Sequence, residues 1–380
     1  MSRVKVCHFS SVHHVWDTRV FYRECSSLAQ DFDVTLIAIG KDSYVKNGVH
    51  VIGIPKPTSF LQRFLFTIWK VFYLAVKQDA AIYHIHDAEM VPFGMILGIL
   101  GKKVIYDIHE NTLGDIQLKP WLSASQKKWA GWAYRLFLQT GKQFMHYVPV
   151  VADPKLLHDF YVSEEECTIV QNFADLDELA PYQVMDRGGL EGNHLFYVGM
   201  IRDMYYNIDP FLEAIYLLQQ QGKICELHLI GYFGVNAQTS FDHLPYWKAI
   251  SQQIHFYGFL DQAKAYEISK QCKVGLCIKN QPDDMLVSHE RKLFEYMCIG
   301  LPSIFCDSAI YCNLNNEFQI GIPVDVQSAQ AISTALCDLL YKPGLLNELS
   351  AINLMASKEK YNWHKEYARL RFLYDHLLFS

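Results

Sequence analysis

The chain has 380 residues, 51% hydrophobic and 19% charged, a globular composition long enough for two domains of about 150–200 residues each. Its formal charge of −6 is unevenly divided: residues 1–172 hold 18 Lys and Arg against 16 Asp and Glu, whereas 173–380 hold 16 against 24. An acidic second half argues against a protein that wraps nucleic acid, so no nucleic-acid partner is expected.

The opening "MSRVKVCHFSS" has too short an apolar run for a secretory signal. The ten cysteines show neither a C-x-x-C pair nor zinc spacing to histidine, and several sit inside apolar runs. Reduced thiols in a cytoplasmic protein are the expectation. Strands are predicted at 4–10, 33–39, 49–55, 81–87, 103–109, 146–151 and 167–172, alternating with helical spacing. A polar stretch at 174–193 with Pro181, Gly188, Gly189 and Gly192 reads as a linker. Strands resume at 194–200, 226–233, 254–260, 273–279, 302–306 and 321–326. The pattern predicts an α/β protein of two doubly wound domains, 1–173 and 194–360, with ligand at the carboxyl ends of the strands. A last helix, 361–380, is expected to pack back on the first domain.

The loop after the first strand contains no glycine and offers His13, His14, Trp16, Asp17 and Arg19 instead. His84 and His86 share a strand face and superficially suggest a metal pair, but no third ligand stands at recognisable spacing, so no metal is expected. Asp87 ends that strand and His109 and Glu110 end the next, all at the predicted ligand edge. The ordinary imidazole titrates near ~6.5, which suits His109 for proton transfer. Helices at 60–77 and 121–144 carry basic stripes at seven-residue spacing: Arg63, Lys70, Lys77 and Lys128, Arg135, Lys142. Trp121, Trp129 and Trp132 flank the second stripe. These helices are expected either to lie on an anionic membrane surface or to be half-buried with snorkelling cations; membrane contact is preferred.

In "HERKLFEYMCIGLPSIFCD", 289–307, Leu293, Phe294, Met297 and Cys298 form an apolar stripe, and Lys292 and Glu295 lie on another face. A carboxylate there can accept ribose hydroxyls, and a lysine at a helix N-terminus can neutralise phosphate. "KLFEYMCIGLP" resembles the nucleotide-sugar signature of the retaining family-four (group 1) glycosyltransferases. "WDTRVFYRECSSLAQDFDVTLIA", "YHIHDAEMVPFGMILG", "VIYDIHEN", "FYVGMI" and "FYGFLDQAKAYEISKQCKVGL" resemble further motifs of a bacterial polysaccharide-biosynthesis branch, in order along the chain.

The resemblance implies a GT-B fold, two Rossmann-like domains facing a central cleft. It implies retaining, metal-independent transfer of a sugar from a nucleotide diphosphate, with no cofactor, to a glycan or lipid-linked acceptor at the inner membrane face. Glu295 matches the ribose glutamate and Lys292 its basic neighbour. Gly199 and Arg202 match the diphosphate loop, and Gly258 and Phe259 the loop flanking the base; Ser288 and Leu293 complete the donor set. His109 matches a histidine beside the transferred sugar. Asp17 is expected to orient an acceptor hydroxyl while capping the next helix, and Arg19 to meet an acceptor diphosphate through its fork. Asp87, Trp16 and Glu110 are expected at the acceptor. Val287 stands where the family has a second glutamate, and Arg202 is the one cation where it has a basic–glycine pair. A nucleotide-sugar epimerase and a non-catalytic nucleotide-sugar-binding relative are the alternatives.

Overall fold

The apolar runs of the first half form β1 (Lys5–His14), β2 (Asp33–Ile39), β3 (Tyr44–Lys46), β4 (Val49–Ile54), β5 (Ile82–Ile85), β6 (Lys103–Ile108) and β7 (His146–Pro149). They are seen in a computed structural model that describes residues 3–109, 112–119, 122–151, 154–203, 205–234, 237–280 and 288–379. The sheet order is β3-β4-β2-β1-β5-β6-β7, parallel except for β3, an exposed edge strand antiparallel to β4. The chain steps outward from β1 to β2 and β4, then returns to the other side of β1 with β5. That reversal opens a crevice at the carboxyl edge of a doubly wound sheet.

The second half repeats the plan with β8 (His194–Met200), a small antiparallel pair β9 (Arg202–Asp203) and β10 (Tyr206–Asn207), then β11 (Glu226–Tyr232), β12 (Ile254–Gly258), β13 (Val274–Leu276), β14 (Ser303–Cys306) and β15 (Gly321–Val324). The order β12-β11-β8-β13-β14-β15 is parallel throughout and reverses between β8 and β13. Such strands are covered on both faces, which is why they read as near-continuous apolar runs. The architecture is α/β with two Rossmann-like halves.

Two compact units result, Met1–Asn172 with Trp363–Ser380, and Phe173–Asn362. Two readings of the sequence change here. Residues 167–172 form no strand beyond a single bridge from Cys167 to Tyr147. Residues 174–193 are part of the second unit, because Arg187 is wholly buried. Its guanidinium donates to the carbonyls of Gly300 (2.6 Å), Ile299 (2.7 Å), Ser269 (3.0 Å) and Cys272 (2.5 Å). Those carbonyls lie at or just beyond the ends of helices Gln262–Ser269 and Arg291–Cys298, where backbone acceptors lack intrahelical partners. The composition of a linker concealed a helix-capping arginine.

The terminal helix Trp363–Phe379 packs on the first unit. Trp363, Leu370, Leu373 and Tyr374 are buried there, each contributing roughly 1.5–3 kcal/mol of apolar burial. Trp363 Nε1 donates to Ser27 Oγ at 2.9 Å, and Glu366 accepts the Gln171 amide at 2.7 Å. Phe372, on the same helix, is 73% exposed. No described helix is long and apolar enough to cross a membrane.

Candidate active site

The first unit gathers its polar residues at the carboxyl edge of β1, β5 and β6. Ser10 Oγ accepts the amides of Val12 (3.1 Å) and His13 (2.7 Å) and donates to Asp87 Oδ1 (3.1 Å); the Ser11 amide donates to Asp87 Oδ2 (2.5 Å). Asp87, expected at the acceptor, is therefore buried and shapes the loop that presents His13. Asp17 accepts the amides of Arg19 and Val20, both at 2.9 Å, and so caps the segment Thr18–Cys25. Its other oxygen lies 3.3 Å from His13 Nδ1. Cap and site member are the same residue. Trp16 is 58% exposed and stacks on His14.

Arg19 has another post than the one expected. It is buried, and its fork donates to Asp107 at 2.9 and 2.7 Å, with Nε also 3.0 Å from Glu24. A fork engaged in this way positions Asp107 and does not reach an acceptor phosphate. Burial alone would raise the Asp107 carboxyl, but Arg19 and His109 hold it well below the usual carboxylate range. Burial and neighbouring Asp107 instead push Glu24 well above it.

Asp107 is the hub of a continuous hydrogen-bonded chain. On the inner side it faces His86 Nδ1 (3.2 Å); His86 Nε2 faces His8 Nδ1 (3.0 Å), His8 Nε2 faces Tyr374 Oη (3.0 Å), and Tyr374 Oη faces His84 Nδ1 (2.8 Å). One proton per contact leaves three neutral imidazoles and a neutral phenol, in agreement with burial, which lowers His8, His84 and His86. On the outer side, Asp107 faces His109 Nδ1 (3.0 Å), His109 Nε2 faces His13 Nε2 (3.0 Å), and His13 Nδ1 faces Asp17. Burial opposes the Asp17 charge, yet His13 holds its carboxyl well below the ordinary range. Both ends of the outer chain are thus anionic acceptors facing the His13–His109 pair between them.

His84 and His86 do gain neighbours: donor atoms of His8, Glu24, His84 and His86 lie within 4.8 Å of one another. Both ring nitrogens of His8 and of His86 already have proton-sharing partners, which describes a hydrogen-bonded chain.

The second unit places its cation at the reversal between β8 and β13. The helix Arg291–Cys298 follows β13, and Glu290 stands at its N-cap without a side-chain capping bond. Lys292 Nζ lies 3.4 Å from Glu290 and 3.3 Å from Tyr197 Oη, over the rings of Tyr197 and Tyr206. Burial would lower the ammonium, but Glu290 more than offsets it and the net shift is well upward. Gly199, with φ +139°, leaves the room: a Cβ there would sit 2.8 Å from Lys292 Nζ. Glu295 is buried, accepting from Tyr266 Oη at 2.6 Å and pairing with Arg291 at 2.9 Å. A ribose would meet it by displacing Arg291.

Gly258 is in the left-handed region with open space around it, and Phe259 is 76% exposed, free to stack on a flat ring. Ser288 is half-buried just before the helix. Two expectations change. Leu293 is a core residue with no exposed side chain. Arg202 is held by Asp209, donates to the carbonyls of Gln238 (2.6 Å) and Ser240 (2.9 Å), and lies over Phe241, so it braces its own loop. Among the described residues, Lys292 is the cation that lies against Gly199. Glu110 and Val287 lie outside the described residues.

Sequence reasoning named His13 in the first loop without giving it a role, and did not select Asp107, Glu290 or Tyr374. The spacing of Asp107 and His109, two apart on a strand edge, was a legible signal; Tyr374 had none.

Residues 192–342 match the family described as Glycosyl transferases group 1. Among solved structures the chain is similar to a sucrose-phosphate synthase from Thermosynechococcus elongatus, 14% identical at TM-score 0.71 with 99% of each chain covered. It is similar to HepE from Anabaena in complex with UDP and glucose (12%, TM-score 0.67, 98% of this chain and 100% of that one). A third is WaaG, a glycosyltransferase involved in lipopolysaccharide biosynthesis (14%, TM-score 0.64, 97% and 99%). At these identities the likeness is one of fold, the GT-B plan. Among curated proteins no sequence matches.

Proposed function

From the premise that the second unit carries a group 1 glycosyl transferase domain, we infer that the chain moves a sugar from a nucleotide diphosphate to an acceptor hydroxyl. The observation that carries this reading is Lys292, lodged against Gly199 at the start of a helix on the carboxyl edge of the sheet. As the sugar–phosphate bond breaks, the leaving diphosphate gains negative charge. A buried ammonium and helix N-terminal amides stabilise that charge. No metal ion is needed for that neutralisation. Phe259 is the stacking surface for the base and Glu295 the ribose acceptor once Arg291 swings away. HepE, of like fold, is described with UDP and UDP-glucose, which supports a nucleotide-sugar donor.

The first unit takes the acceptor. The His13–His109 pair offers imidazole nitrogens to an anionic or hydroxyl group. The finer reading is retaining transfer to a lipid-linked glycan precursor at the cytosolic membrane face. Two features support a lipid. A cavity of about 750 Å³ is lined by Phe60, Phe64, Ile116, Tyr134 and Phe137, with Arg63, Glu89 and Ser11 also in its wall. The flanking helices leave Leu61, Phe66, Trp69, Tyr73, Trp129 and Trp132 exposed, with Lys70, Lys77, Lys128 and Arg135 beside them. An exposed apolar face of that kind marks an interaction surface, and cations at its rim suit anionic lipid.

The test is a panel of nucleotide sugars, first for thermal stabilisation of the protein and then for transfer to polyprenyl-diphosphate-linked and free glycans in the presence of chelator. Transfer with chelator supports the proposal. Conversion of a free nucleotide sugar without acceptor would make the protein an epimerase, and binding without either reaction would make it a binding module.

A further inference from the structure

The other end of the second sheet holds a second constellation. At the amino ends of three neighbouring parallel strands the registers pair Glu226 with His194 and His228 with His255. Residues two apart on one strand share a face, and in-register neighbours in a parallel sheet share it too. The words "NHLF", "CELHL" and "QIHFY" therefore stack one carboxylate and three imidazoles on one side of the sheet, at the edge opposite Lys292. His194 Nδ1 lies 3.0 Å from His228 Nε2 and 3.7 Å from Glu226 Oε2, and all three donor atoms fall within 4.8 Å of one another.

We propose that His194 Nδ1, Glu226 Oε2 and His228 Nε2 bind one borderline divalent transition ion of the zinc type, with water completing a tetrahedral site. Two imidazoles and a carboxylate are a ligand set for such an ion, and bonds of about 2.0–2.2 Å ask the donors to stand a little over 3 Å apart. The His194–His228 and His194–Glu226 separations, 3.0 and 3.7 Å, lie within a few tenths of an ångström of that spacing. Tyr257 Oη, 2.8 Å from His228 Nδ1, accepts that ring's proton and leaves the Nε2 lone pair aimed at the site, as outer partners of metal-bound histidines do. Access is open: the His194 and Glu226 side chains are 20% and 42% exposed.

His255 Nε2, 2.9 Å from Glu226 Oε2, is a competitor for the carboxylate and not a ligand. Without the ion, His194 and His228 share a single proton between two facing nitrogens; the ion replaces that proton and ties the starts of β8 and β11 together. The site lies apart from the donor chemistry, so its occupancy acts on the stability of the second unit.

The full chain, stripped of metal, is titrated with Co²⁺ alone while the visible d–d bands are followed, then with Zn²⁺ by calorimetry. One ion per chain with intense tetrahedral bands, displaced by Zn²⁺, is expected. His194→Ala and Glu226→Gln, both partly exposed and outside the core, should each weaken binding at least about tenfold. His255→Ala should bind as tightly as the parent chain or tighter, since it frees the carboxylate. No binding by the folded parent chain, or binding that survives the H194A/E226Q double variant, overturns the proposal. Loss of binding in H255A equal to that in H194A overturns this ligand assignment.

Discussion

Removing the ammonium of Lys292 and removing the carboxylate of Glu290 should change nucleotide affinity in opposite directions. Lys292 is nearly buried, 3.4 Å from Glu290, and is held charged by it. A nucleoside diphosphate gains a charge-assisted hydrogen bond from Lys292 worth about 1.5–3 kcal/mol. Lys292→Met should therefore weaken binding of a nucleoside diphosphate roughly 10- to 150-fold. Glu290, 3.4 Å from Lys292, would repel phosphates held by that ammonium. At an effective dielectric constant near 20, two unit charges about 7 Å apart interact by roughly 2 kcal/mol. Screening and the loss of a partner for Lys292 reduce that figure, so Glu290→Gln should tighten binding by about tenfold at most. Calorimetry with UDP, GDP and ADP alone keeps sugar contacts out of the measurement, and circular dichroism checks that each variant is folded. If K292M binds every nucleotide as well as the parent chain, or if both variants weaken binding alike, Lys292 is a structural ion-pair member and the donor site lies elsewhere.

Other consequences of the packing can be measured directly. Arg187→Met removes one donor from each of four carbonyls and should cost the second unit about 4 kcal/mol, with Arg187→Lys near half of that; a urea midpoint shift equivalent to under ~1 kcal/mol would refute the capping role. His8, His84 and His86 are neutral when folded because burial lowers them, and each takes up a proton near ~6.5 when unfolded. The unfolded chain then binds more protons, so stability is full above ~6.5 and falls below it by up to about 1.4 kcal/mol per pH unit for each histidine; a flat denaturation profile from pH 7 to 5.5 contradicts the neutral chain. Vesicle flotation should show binding to anionic bilayers that weakens with salt, each cation contributing on the order of 1 kcal/mol. Reversing Lys70 and Lys128 together should reduce it further than either alone, and absence of binding at any salt would return the exposed aromatic face to some other partner.

The two doubly wound halves could be read from the chain because parallel strands buried on both faces leave runs of apolar residues whose period and length are local properties. Lys292 and Glu295 were legible for the same reason: one helix, a strand before it and a Gly–Leu–Pro stop after it are encoded between Val274 and Pro302. What those side chains touch was decided elsewhere. Arg19 reads as an open fork, and becomes a buried clamp because Asp107 arrives from a strand 88 residues away. Arg187 reads as part of a linker until two helix ends converge on it. Tyr374 meets His8 across 366 residues and closes a proton chain that no spacing announces. Periodicity is set by neighbours in sequence, whereas the direction of a hydrogen bond and the sharing of a proton depend on which distant groups are brought within 3 Å; those were fixed only when the sheets and the terminal helix had packed.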